Sequence, residues 1–229
     1  MKAMNREDLN SMVFKGSETY LPNEKTPVIS PAALDLAQRA MNYTPDQPLY
    51  VVAIGAITNV ASALLIKPEI KDRIVIVWLG GHATHMDHTR EFNMYQDVAA
   101  ARIVMGCGAA FVQLPCEGVV SAFTVSHADL EYHFRGHNTL CDYLVETVED
   151  EVATYTDDPV WSRVIWDVTA VAWLLDGDFF KDQLIHSPIP EYDNKYAFDN
   201  TRHFIRYVYH VKRDALLSDL VKKLTSLGE

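Results

Sequence analysis

The chain has 229 residues, 48% hydrophobic and 22% charged, the balance of an ordinary globular protein with a sizeable core. Its formal net charge of −11 argues against nucleic acid or an acidic membrane as partner, because phosphates select basic surfaces. Three cysteines, Cys107, Cys116 and Cys141, show no C-x-x-C spacing, which predicts reduced, structural thiols and a cytoplasmic setting. The polar opening MKAMNREDLN lacks the pattern of a signal peptide, and no apolar run is long enough to span a bilayer.

In chain order, residues 1–12 read as weakly helical, and Glu18 to Pro31, rich in Pro, Asn, Thr and Ser, reads as a loop. Ser30-Pro31 is an N-cap followed by a proline at the first helical position. It predicts a helix to about Met41 with Leu34, Ala37, Gln38 and Met41 on one face. Leu49 to Ile54 (LYVVAI) is a continuous apolar run and predicts a strand covered on both faces. A helix follows from Thr58 to about Ile66, then a second buried strand from Ile74 to Leu79. Asp97 opens a helix that stops at Gly106, and Ala110 to Leu114 (AFVQL) is a third strand. This alternation is a βαβαβ unit, so the fold class is α/β with an open, mostly parallel sheet flanked by helices. The second half reads as helix from Asn138 to about Tyr155, with Leu140, Tyr143, Leu144, Thr147, Val148 and Val152 as its apolar face. A helix after Pro159 and through Leu175, a strand from Phe204 to Val211 and a closing helix from Lys212 to Leu227 complete it. With no repeat, low-complexity tract or linker, residues 1–229 read as one domain.

The chemistry concentrates after the second strand, where Gly80-Gly81 is followed by His82, His85, Asp87, His88, Arg90, Glu91 and Asn93. Polar residues at the C-terminal end of a buried parallel strand are the usual setting of an α/β active site. An extended Glu91-Phe92-Asn93 would turn a carboxylate and an amide to one side and bury Phe92 on the other. Such a pair suits the vicinal hydroxyls of a sugar; a loop capped by its own polar side chains is the competing reading. The GHATHMDH stretch approaches the H-x-H-x-D-H of dinuclear zinc hydrolases but has one residue too many between the first two histidines. Further zinc ligands would have to come from His127, His186, His203 or His210. Asp167, in the apolar stretch VIWDVTAVAWLL, requires a partner, a perturbed pKa or a cleft mouth; Arg163, four residues earlier, is the candidate partner. Asp176-Gly-Asp178-Phe-Phe-Lys-Asp182 imitates an acidic metal loop but follows a helix end, and reads as a solvated connection.

Four segments carry a resemblance in combination: GAITNVASALL (55–65), WLGG (78–81), TREFNMYQDVAAARIV (89–104) and WDVTAVAWLL (166–175), with RYVYHVKRDALLSDL (206–220) after them. Together they are similar to the inosine-uridine preferring nucleoside hydrolase family. The resemblance implies hydrolysis of the N-glycosidic bond of ribonucleosides around a bound Ca²⁺, in a homodimer or homotetramer. It implies that the main-chain carbonyl of Thr58 and the carboxylate of Asp167 are calcium ligands. Glu91, Asn93 and Asp167 would then hold the ribose, Trp166 would stack on the base, and His82 would join the substrate-binding set. Two departures stand out. Trp166 occupies a position where many members have histidine, and His85 stands where members often have a ribose-contacting asparagine. The family's N-terminal D-x-D-x-x-x-D-D, which binds calcium and supplies the general base, does not occur in the 229 residues. The expectation is therefore a member without its first strand and acidic loop, impaired in turnover. A non-catalytic nucleoside- or ribose-binding module and a zinc hydrolase built on GHATHMDH are the alternatives.

Overall fold

The computed structural model describes residues 6–175 and 177–227. The chain divides into two compact units. One comprises Phe14–Ser121 and Trp166–Val211; the other comprises, of the described residues, 6–13, Ala122–Ile165 and 212–227.

The first unit holds a five-stranded sheet. In chain order it contains α1 (Pro31–Ala40), β1 (Leu49–Ala53), α2 (Thr58–Ile66), β2 (Ile74–Leu79), α3 (Phe92–Gln96), α4 (Val98–Gly106) and β3 (Ala110–Leu114). The sheet order is β1-β2-β3-β9-β6, with β6 spanning Phe180–His186 and β9 spanning Phe204–Val211. β1, β2, β3 and β9 run parallel, and β6 pairs antiparallel with β9. The predicted βαβαβ unit is thus present. Ser30 caps α1 through its side chain, which accepts from the Ala33 N–H, and Asp97 caps α4 by accepting from the Ala100 N–H. Both caps satisfy amides that the first helical turn leaves without partners.

The main core lies between the sheet and α1, α2 and α4, around Ile57, Leu64, Ile76, Trp78, Met105 and Phe111. Trp78 is fully buried and its indole N–H donates to the Gly55 carbonyl at 3.0 Å. Two expectations fail here. LYVVAI is not covered on both faces: β1 is an edge strand, none of its five residues is fully buried, and Tyr50 is 50% exposed. On α1 the buried stripe is Ala33, Ala37 and Ala40, and Leu34 points out; small residues let the helix approach its neighbour closely, and a leucine stripe does not.

The second unit contains a two-stranded antiparallel sheet of β4 (Thr124–Ser126) and β5 (Ser162–Val164), with α5 (His127–His133), α6 (Thr139–Val152) and α8 (Arg213–Thr225). A reciprocal capping box between Ser126 and Asp129 starts α5. The Arg213 guanidinium binds Asp129 and the Thr124 carbonyl, pinning α8 beside it. On α6 the buried residues are Cys141, Val145 and Val152, whereas Tyr143 is 57% exposed; the apolar face is rotated from the expected one.

The helix expected after Pro159 and through Leu175 is replaced by β5, a turn and the short α7 (Val168–Ala172). The β-branched and aromatic run VWSRVIW favours a pleated strand over a helix, and β5 finds its partner in β4. Arg163 therefore sits on a strand and pairs with Glu151, not Asp167. Asp176 lies outside the described residues. Asp182 belongs to β6 and pairs with Arg206, so it is not part of a loop. Two short strands, β7 (Ile189–Pro190) and β8 (Tyr196–Ala197), form a further antiparallel pair. Among the described residues no helix is long and apolar enough to cross a membrane.

Candidate active site

The site grows from the end of β2. Gly80 lies so close to Trp78 that a Cβ there would stand 2.3 Å from the indole. Gly81 has φ +75°, and its Cβ would meet the Tyr196 hydroxyl at 2.1 Å. Both positions demand glycine, one for space and one also for its left-handed backbone. The chain leaves the sheet here and returns at Glu91.

Glu91 closes that excursion. It is 5% exposed and N-caps α3. Its Oε1 accepts from Asn93 N at 2.8 Å, and its Oε2 accepts from Met94 N at 2.9 Å and from Gly81 N at 2.8 Å. Three of about four acceptor positions on the carboxylate are thus used, tying the strand end to the helix start. The Asn93 Nδ2 donates to the Leu79 carbonyl at 2.9 Å, and its Oδ1 has no hydrogen-bond partner among the described residues. Glu91 and Asn93 do share a side. Phe92, however, is 76% exposed, because the backbone turns helical directly after Glu91 and the alternation of an extended strand ends there.

A cleft of about 660 Å³ opens beside this clamp. Ile54, Leu79 and Phe92 give it apolar walls, and Glu91, Asn93, His82, Trp166 and Asp167 all line it. These five predicted residues are therefore brought together. Arg90 and His88 join them, as do Cys116 and Glu117 after β3, which sequence reasoning missed. The missing signal is the register: Leu79 pairs with Leu114, so the residues after both strands emerge at the same end of the sheet.

His82 is buried, and its Nδ1 accepts from the Glu117 N–H at 3.3 Å, which places the ring proton on Nε2. Burial pushes its pKa down against the opposing charges of Glu117 and Glu91, so the imidazole is neutral at pH 7. Asp167 precedes α7 at the exposed mouth of the cleft; partial burial, then the charge of Glu91, holds its carboxyl above the usual range. Burial, reinforced by Glu91, pushes the Cys116 thiol far up, so it is an uncharged wall and not a nucleophile.

The sequence profile of the family described as inosine-uridine preferring nucleoside hydrolase matches residues 8–214. This chain is a member of the nucleoside hydrolase family. A pyrimidine-specific ribonucleoside hydrolase RihA from Salmonella typhimurium is 31% identical over 166 residues, covering 70% of this chain and 52% of that protein. The chain thus spans about half the length of the curated relatives it matches. The plant nucleoside hydrolase PpNRh1 superposes with a TM-score of 0.70 at 19% identity, covering 88% of this chain and 69% of that one. A purine-preferring ribonucleoside hydrolase from Gardnerella vaginalis gives 0.69 at 21% identity, with 87% and 66% covered. These two likenesses concern the nucleoside hydrolase fold: a mostly parallel sheet flanked by helices.

The residues present in this nucleoside hydrolase chain do not make a calcium shell. Calcium takes roughly six to eight oxygen ligands. Besides the one acceptor position left on Glu91, the cleft offers the Asn93 Oδ1 and the carboxylates of Asp167 and Glu117, and among the described residues its acidic groups do not converge on one point. Thr58, whose main-chain carbonyl the resemblance implies as a ligand, does not line the cleft; it lines a separate cavity with Ser17, Asn59 and Gln96. The histidine loop gathers no metal ligands either. Among the described residues the one metal-competent group of side chains lies elsewhere, at His127, Glu131 and Glu149.

Proposed function

We propose that this cleft is the ribose-holding side of a ribonucleoside hydrolase site. The reaction is hydrolysis of the N-glycosidic bond to ribose and free base. The observation that carries the reading is the buried Glu91–Asn93 clamp. It presents one carboxylate acceptor and one amide oxygen, held by backbone hydrogen bonds, to a cleft walled by Trp166 and rimmed by Asp167. Two rigid acceptors suit adjacent sugar hydroxyls, because both hydroxyls can donate at once. Trp166 offers a flat face on which a purine or a pyrimidine can stack. As the base departs, the ribose ring acquires oxocarbenium character, and the charges of Glu91 and Asp167 favour it.

Activation of the attacking water is assigned to no residue of this cleft. The chain alone is therefore a slow hydrolase with an intact sugar grip. A second reading, a ribose-binding module without chemistry, is favoured by one observation: Glu91 spends most of its acceptor capacity on the backbone. Release of reducing sugar from inosine and uridine separates the two. Slow release that falls further in Asp167→Asn supports hydrolysis. Ribose binding with no release supports the binding module. Neither binding nor release overturns both.

A further inference from the structure

A second cluster of chemically capable side chains lies within Ala122–Ile165, apart from the cleft residues in sequence. His127 is the first residue of α5, Glu131 is one helical turn later on the same face, and Glu149 comes from α6. The candidate ligand atoms of these three side chains all lie within 4.8 Å of one another. His127 Nε2 and Glu149 Oε1 are 2.9 Å apart, and Glu149 and Glu131 share the Arg135 Nη2. For ligands about 2.1 Å from a metal, neighbouring donors in an octahedron stand roughly 3 Å apart.

Two further features bear on this cluster. The His127 ring is stacked on Trp161 with centroids 4.7 Å apart and planes 16° apart, while its main-chain N–H donates to the Trp161 carbonyl at 3.2 Å. The imidazole is thus pre-oriented toward Glu149. Arg135 binds Glu131 through Oε1 at 2.7 Å and Glu149 through Oε2 at 2.5 Å. It occupies one oxygen of each carboxylate and leaves Glu131 Oε2 and the His127-facing Glu149 Oε1 for another cation. Hydrogen bonding to the outer oxygens of ligating carboxylates is the usual arrangement around protein-bound metals. Two adjacent carboxylates against one guanidinium also retain a net negative charge. All four side chains are partly solvent-accessible, between 29% and 43%, so an ion has an open approach.

We infer that His127, Glu131 and Glu149 form a binding site for a first-row divalent cation, with Arg135 bridging one oxygen of each carboxylate. One imidazole with two carboxylates selects such an ion over Ca²⁺, which prefers oxygen alone. The competing state is a metal-free ion-pair network in which a protonated His127 takes the cation's place.

The test is calorimetric titration of the full chain with Zn²⁺ at neutral pH, with visible absorption of the Co²⁺ form as a second readout. One equivalent should bind, Ca²⁺ should not compete, and His127→Ala and Glu149→Gln should each weaken binding by on the order of 100-fold. Circular dichroism of the metal-free variants checks folding. If His127→Ala does not fold, Glu131→Gln, on a half-exposed helical position, should show the same loss. Binding weaker than millimolar overturns the site. So does Zn²⁺ binding that survives these changes and disappears when His82 and His88 are replaced.

Discussion

Glu91 holds the cleft together as much as it lines it. Its carboxylate is buried and accepts from three main-chain amides, one at Gly81 just after β2 and two in the first turn of α3. Replacing it by glutamine puts an N–H₂ donor against an N–H donor and removes the charge that strengthens the remaining bonds. Such a loss costs about 1–3 kcal/mol, so Glu91→Gln should lower the urea midpoint as well as ribose affinity. An unchanged midpoint would mean that the clamp is not structural. His82 provides a pH signature. Its folded pKa lies below the ordinary 6.5 because burial disfavours the cation. At low pH the unfolded chain therefore binds the extra proton first. Its contribution is fully present above about pH 6.5 and is lost as pH falls from there toward the lowered folded pKa. His203 shifts the same way, again by burial. Stability should fall on acidification through that window, and His82→Gln should make the fall shallower; an identical slope would contradict the assignment. The spacing marked Glu91 and Asn93 as a pair only on the premise of an extended segment. The backbone turns helical at Phe92, so Glu91 caps the helix with its own side chain, as the competing reading had it, and Phe92 faces solvent.

At the scale of elements, the two edges of the sheet differ. β6 breaks its register between Lys181 and Asp182 and places charged residues along the strand, devices that discourage edge-to-edge pairing. β1, LYVVA, has no charge, no proline and no register shift, and Tyr50 is half exposed. This edge is an open template for another strand. Tyr50→Lys should extend the concentration range over which the chain stays monodisperse in light scattering; an unchanged range would contradict an open β1 edge. Helix starts were legible because caps are local: Ser30 before Pro31 and Asp97 before Val98 each bind an amide three residues on. The stretch 159–175 was not legible. Its apolar residues fit a helix by composition, and only the partner strand β4, about forty residues earlier, decides for β5. The buried faces of α1 and α6 were misplaced for a related reason: alanine and cysteine carry the packing where larger residues were expected to.

For the whole molecule, the family and the parallel α/β architecture followed from four sequence blocks and the alternation of apolar runs, and both are present. The division into two units was not foreseen, because no Gly- or Pro-rich linker marks it and each unit is assembled from segments distant in sequence. The cleft lies within one unit and depends on loops after β2 and β3 and on the residues before α7. What unites these observations is the claim that the cleft recognises ribose through the Asn93 amide and the Glu91 carboxylate. Calorimetric titration of the chain and of Asn93→Ala with ribose tests it most directly. Saturable binding by the wild-type chain, weakened about tenfold or more in the variant, is the predicted result, as for the loss of one well-made polar contact. Equal binding by both proteins, or none by either, would contradict it.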